Sequence, residues 1–156
     1  MHTVTLGRPS AARNLLAALA VVLGLVLFAP APQADAATFG QQAVSWSAAQ
    51  KGKPYKWGAV GPRAFDCSGL VVYVYNTKLH KRLPRTATDQ RRATTRIAKS
   101  SIRPGDLVFF APSSTSRVTH VGVYAGGGKI WHSPKPGGVV KLSTLWTTHW
   151  TAGRVR

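Results

Sequence analysis

The sequence predicts an α+β domain in which helices come first and strands follow. Two observations carry this. Early in the chain Phe39, Ala43, Trp46 and Ala49 recur at helical spacing. Beyond Pro104 the pattern changes to short runs of apolar, β-branched and aromatic residues bounded by glycine, proline and polar turn residues. Helix signals and strand signals that are segregated along a chain point to α+β rather than to alternating α/β architecture.

Residues 1–36 stand apart from that domain and are expected to be an export signal. Arg8 and Arg13 precede an uncharged apolar run from Leu15 to Ala29, and Ala34-Asp35-Ala36 offers a small-x-small cleavage site. The run of 15 residues is shorter than the ~20 that a helix needs to cross a bilayer core, so no stable membrane span is expected. Lipoprotein processing would need a cysteine at the cleavage point, and the sole cysteine, Cys67, lies well downstream. Cleavage after Ala36 would leave residues 37–156, a length suited to one core and one domain.

The elements follow in order. A first amphipathic helix runs from Phe39 to Gln50 and is ended by Gly52 and Pro54. A loop with Gly58, Gly61 and Pro62 delivers the chain to Asp66-Cys67-Ser68-Gly69. The apolar run Leu70–Tyr75 is ambiguous: its valines and tyrosines favour a strand, yet its length suits a buried helix equally well. Thr86–Ala98 reads as a polar, basic helix, and Pro104-Gly105-Asp106 as a turn. Strands are expected at Leu107–Phe110, Val118–Tyr124, Lys129–His132, Val139–Leu142 and Ala152–Val155, with Gly126–Gly128 forming a tight hairpin.

Chemistry concentrates on few residues. Cys67 follows a glycine-containing loop and precedes small residues, so it can stand at the mouth of an element; as the first residue of a helix its thiol pKa would be lowered by the helix dipole and free amides. A buried structural cysteine is the competing reading. Alternation places His120, Gly122 and Tyr124 on one strand face, which Gly122 keeps open, and Val121 and Val123 on the other. The hairpin can bring His132 on the next strand to the same end of the sheet. A thiol needs a base, and the base a third polar group that fixes its tautomer, roles that Cys67, His120 and His132 would fill. Ordinary core or surface histidines are the alternative. A zinc site fits less well, because separations of 53 and 12 positions lack the close ligand pairs of zinc motifs. No metal and no cofactor are expected. His80 and His149 read as exposed.

Taken in order, Pro54-Tyr55-Lys56-Trp57-Gly58, Asp66-Cys67-Ser68-Gly69-Leu70, Leu83-Pro84-Arg85-Thr86, Arg103-Pro104-Gly105-Asp106-Leu107-Val108-Phe109-Phe110 and His120-Val121-Gly122-Val123-Tyr124 resemble the NlpC-type cell-wall peptidase family, from about Ala43 to the C-terminus. The resemblance implies a papain-like fold with N-terminal helices packed on a small antiparallel sheet, and makes the Cys67 element a helix. It implies hydrolysis of peptide bonds in peptidoglycan stem peptides, often the bond between D-glutamate or D-isoglutamine and the third residue. By position it implies Cys67 as nucleophile, His120 as general base, His132 as the third polar group and Tyr55 as an oxyanion donor beside the Cys67 N–H. Asp66 and Ser68 then shape the pocket, Asp66 contacting a substrate amine; capping the helix is the simpler role open to both. Asp106 is a turn residue and Trp57 wall or core.

Without Arg8, Arg13 and Asp35, residues 37–156 carry 19 Lys and Arg against three Asp, a formal charge of +16. So basic a chain seeks anions. Nucleic acid is the usual inference, but export favours anionic wall polymers, and no specific nucleic acid is expected. A monomer is expected. The alternative from another class is a non-catalytic cationic wall-binding or antimicrobial protein. The same mechanism could also serve an acyltransferase, an amidase or an exported toxin.

Overall fold

The computed structural model describes residues 37–112 and 117–156; the expected signal and its cleavage site lie outside the described residues. Helix α1 (Phe39–Ala48) begins where Thr38 Oγ1 accepts from the Gln41 N–H at 3.3 Å and Gln41 Oε1 accepts from the Thr38 N–H at 2.7 Å. This reciprocal pair satisfies two of the donors that a helix start leaves free. Ala43 on its inner face is fully buried.

Helix α2 (Cys67–Val72) continues into a π-helical turn, Tyr73–Lys78. The ambiguous Leu70–Tyr75 run is thus helical. Leu70, Val71, Val74 and Tyr75 are fully buried, so tertiary burial, not amphipathic periodicity, fixes its composition. Helix α3 spans only Ala87–Ala93, shorter than the expected Thr86–Ala98. Thr95–Ile97 is instead strand β1, paired antiparallel with a strand 55 residues or more downstream, and local sequence cannot foresee that partner.

The remaining strands are β2 (Leu107–Phe110), β3 (His120–Gly126), β4 (Lys129–His132), β5 (Lys141–Thr144) and β6 (Trp150–Arg154). They form one antiparallel sheet in the order β1-β6-β2-β3-β4-β5. Strands β2 and β4 have the expected bounds. Strand β3 starts two residues later than expected, because the Val118 N–H is taken by Thr88 Oγ1 at 3.1 Å. Val139 forms an isolated bridge with Pro54, which moves β5 two residues onward, and β6 begins two residues early. Gly127 and Gly128 join β3 to β4 with φ of 57° and 68°, the left-handed values that a two-residue hairpin demands.

Both faces of the sheet are covered, which explains why Leu-Val-Phe-Phe in β2 is apolar throughout and buried throughout. Leu107 and Phe109 join Val121 and Val123 in the core against α1 and α2. Val108 and Phe110 point the other way, with Ile130, Tyr124 and Trp150. Among the described residues no helix is long and apolar enough to cross a membrane.

Candidate active site

Cys67 occupies the first position of α2, on the side that packs against β3. The chain can start a helix there because Asp66, in an extended conformation, accepts from the Gly69 N–H at 2.7 Å. Asp66 also accepts from the Gly58 N–H at 2.8 Å, tying the preceding loop to the helix. Gly69 is required by contact rather than by φ: a Cβ there would lie 2.0 Å from the Ala59 carbonyl oxygen.

The two histidines meet. His120 Nε2 and His132 Nδ1 are 2.8 Å apart, and His132 Nε2 lies 2.9 Å from Ser143 Oγ on β5. Two nitrogens ligating one zinc at ~2.0–2.1 Å in tetrahedral geometry would stand about 3.3 Å apart; at 2.8 Å they share a proton. If His132 donates from Nε2 to Ser143, its Nδ1 accepts from His120 Nε2, and His120 Nδ1 is left as a free acceptor. That is the tautomer a base facing a thiol requires.

Gly122 does not open this face as the sequence suggested. A Cβ there would meet Ile130 Cδ1 at 2.9 Å and His132 Cβ at 3.3 Å, so glycine is what lets β4 bring His132 this close. Trp146, beyond β5, stacks on Phe110 with centroids 4.4 Å apart and planes 8° apart, and leans over both imidazoles at 5.9 and 5.3 Å.

Burial sets the protonation states. Desolvation lowers His120 to about 3, with His132 adding to it, and lowers His132 to about 4, with the Lys141 charge adding to it. Both rings are neutral near pH 7. The Cys67 thiol lies above, not below, its ordinary value: burial pushes it up and the Asp66 carboxylate adds to this, against a downward pull from backbone N–H groups led by Val121. The expected lowering by the helix start is outweighed by desolvation. The resting pair is therefore thiol and neutral imidazole, not thiolate and imidazolium.

Tyr55 sits on the loop bridged to Phe65, and burial, then Cys67 and Asp66, push its phenol up while Arg85 pulls it down. It stays protonated and able to donate. Asp66 is already committed: besides its two backbone bonds it pairs with Arg85, whose Nη1 reaches Asp66 Oδ1 at 3.1 Å and Ser68 Oγ at 2.8 Å. The structure favours the capping role for Asp66 and binds Ser68 to the same guanidinium. Arg85, with a side chain 40% exposed, is the charged group of this cluster nearest solvent. A groove of about 630 Å³ runs along Trp57, Asp66, Cys67, Ser68 and Arg85 to Thr119. Trp57, 83% exposed, is wall rather than core. Asp106 does sit in a turn, accepting from the Arg103 N–H, and also holds Arg154.

Sequence reading missed Arg85, Ser143 and Trp146. Arg85 stood inside a recognised motif and could have been weighed as a partner for buried Asp66. Ser143 and Trp146 carry no local signal.

The chain is similar to murein DD-endopeptidase MepH of Escherichia coli, 42% identical over 112 residues that make up 67% of this chain and 41% of that protein. It is 39% identical over 98 residues to the gamma-D-glutamyl-L-lysine dipeptidyl-peptidase of Bacillus subtilis, covering 62% of this chain and 33% of that one. The chain thus spans less than half the length of these relatives. Among solved structures, the NlpC/p60 domain of the peptidoglycan hydrolase SagA matches 76% of this chain and all of that domain, with a TM-score of 0.68 and 31% identity. RipD of Mycobacterium tuberculosis, described as a non-catalytic NlpC/p60 domain protein adapted to peptidoglycan binding, matches 76% of this chain and 98% of its own with a TM-score of 0.65 and 25% identity. These likenesses agree with the papain-like α+β arrangement. A family model described as NlpC/P60 matches residues 52–156. With helix, sheet, thiol and histidine pair in the order that model covers, the chain belongs to the NlpC/P60 family.

Proposed function

We propose that this protein is an exported thiol peptidase that hydrolyses peptide bonds in peptidoglycan stem peptides, with Cys67 as nucleophile. The observation that carries this reading is the hydrogen-bonded chain from His120 through His132 to Ser143, on the strands beside the helix that begins at Cys67. Cys67 Sγ attacks the carbonyl carbon while its proton passes to His120 Nδ1. His132 holds the ring and disperses its new charge. The oxyanion meets the Cys67 N–H and the Tyr55 hydroxyl, where loss of one donor typically costs on the order of 2.7–4 kcal/mol. His120 then gives the proton to the leaving nitrogen, the C–N bond breaks, and a thioester remains. Water, deprotonated by His120, attacks the thioester and Sγ departs. Asp66 and Ser68, held by Arg85, form the side of the groove that receives the acyl portion.

The bond between D-glutamate or D-isoglutamine and the diamino acid is the proposed target, in keeping with the name of the Bacillus subtilis relative; the name of MepH points to a different bond. The test is mass spectrometry of stem peptides and isolated peptidoglycan after incubation with the protein, beside Cys67→Ala. A defined fragment released only by the wild type supports the reading, and its mass identifies the bond.

Binding without cleavage by either protein would instead favour a non-catalytic wall-binding module; RipD is described as a non-catalytic, peptidoglycan-binding protein with this domain. The intact set of Cys67, His120 and His132 argues for catalysis. We also propose that the basic surface holds the protein to anionic wall polymers. All three acids of the described residues are paired with arginine, Asp66 with Arg85, Asp89 with Arg92 and Asp106 with Arg154, so most of the positive charge has no carboxylate partner among them. Release from isolated walls by raised salt is expected; retention at high salt would refute it.

A further inference from the structure

A second groove, of about 640 Å³, lies on the imidazole side of the site and is lined by His120, His132, Lys135, Lys141, Ser143 and Trp146. Thr119 lines both grooves, so they adjoin at the residue before His120, one holding Cys67 and the other the histidines. The chemistry orders them. A general acid must reach the nitrogen it protonates, so the groove on the histidines receives the residue that leaves with that nitrogen. The groove on Cys67 and Ser68 receives the acyl side.

Two features give the leaving-side groove a preference. Trp146 is fixed by stacking on Phe110 yet is 56% exposed, which presents a flat apolar wall. Lys135 and Lys141 are exposed, and among the described residues neither has an ion pair, a side-chain hydrogen bond or an aromatic ring beneath its ammonium. Lys141 lies close enough to His132 for its charge to be felt there. Among the described residues, no acidic side chain lines the groove. Two unpartnered ammonium groups beside an apolar wall suit a residue that has an aliphatic body and an anionic end.

We propose that Lys135 and Lys141 form the leaving-side subsite and select a residue that carries a free carboxylate, with Trp146 packed against its aliphatic portion. This rests on the thiol-peptidase reading and adds a chemical requirement: amidation of the leaving-side carboxylate makes a poor substrate.

The experiment compares two stem peptides that differ only in a free or amidated carboxylate on the leaving side. The measurement is kcat/KM for the wild type and for a Lys135→Ala/Lys141→Ala variant. The wild type is expected to favour the free acid about tenfold, mainly through KM. The double variant is expected to lose that discrimination, its kcat/KM no longer favouring the acid over the amide. Equal wild-type rates on the two peptides, or an equal fall on both in the variant, overturns the proposal while leaving the peptidase reading intact. Failure of the wild type to cut either peptide overturns the peptidase reading instead. The subsite is then decided by calorimetry on Cys67→Ala, where lack of tighter binding to the acid refutes it.

Discussion

The buried histidine pair makes folding stability depend on pH in a defined window. Both rings are neutral in the fold, with His132 lowered to about 4 and His120 to about 3, whereas an unfolded chain protonates them near 6.5. The unfolded state therefore binds more protons below pH 6.5. The histidines' contribution is fully present above that value, falls as pH drops through the window, and is gone below the folded values. Going from pH 7 to pH 4 should cost roughly 3 kcal/mol per histidine if they titrated independently, somewhat less for the coupled pair. That is comparable with the total stability of a small domain, about 5–15 kcal/mol. Urea unfolding at pH 7, 5.5 and 4 measures it, run beside a His120→Gln/His132→Gln variant. Carboxylates common to both proteins cancel in the difference, so the wild-type line should fall more steeply by several kcal/mol over the range. Parallel pH dependence in the two proteins would refute the assignment of buried, neutral imidazoles.

Three further predictions come from the same geometry. Arg85→Ala strips the partner from Asp66, whose side chain is 7% exposed. Because Arg85 itself is partly solvated and the backbone bonds to Asp66 remain, the cost should be about 2 kcal/mol in urea unfolding, below the 3–5 of a fully buried pair; Arg85→Lys should recover little, since the fork to Asp66 and Ser68 is lost. Gly122→Ala forces a methyl against Ile130 and His132 and should cost about 1–3 kcal/mol, read from thermal unfolding, with a larger fractional loss of kcat than of substrate affinity. Ser143→Ala removes the hydrogen-bond partner of His132 Nε2, so kcat should fall about tenfold at unchanged KM, a hydrogen-bond-sized effect; a change confined to KM would place Ser143 in binding rather than in orienting the pair.

Much of this site could be read from local sequence. Asp66-Cys67-Ser68-Gly69 shows a cap, a thiol and two small residues, and the structure uses them in that order, with Gly69 passing within contact distance of Ala59. Alternation in His120–Tyr124 correctly put Val121 and Val123 on one face, in the core against the helices, and Tyr124 on the other, against a second apolar cluster. The three Asp residues beyond Asp35 stood out in so basic a chain, and each proves to hold an arginine. Three local inferences failed because a distant partner decided the outcome. Thr95–Ile97 carries helix-compatible neighbours but pairs with β6. Gly122 was taken to leave space, and the adjoining strand fills it. The thiol was expected to be acidified at a helix start, yet its burial raises it.

The sequence by itself determined the α+β order of elements, the tight turn within Gly126–Gly128 and the residue types at the centre of the site. These depend on side-chain periodicity, backbone preference and charge within a few neighbouring positions. Only the tertiary structure decided that Ser143 and Trp146 reach His132, and that Lys135 and Lys141 line one groove. Those relations join strands through register, and register is settled by the packing of the whole sheet rather than by any segment of it. The protonation states of Cys67, His120 and His132 belong to the same class, because desolvation is a property of what surrounds a group and not of its place in the chain.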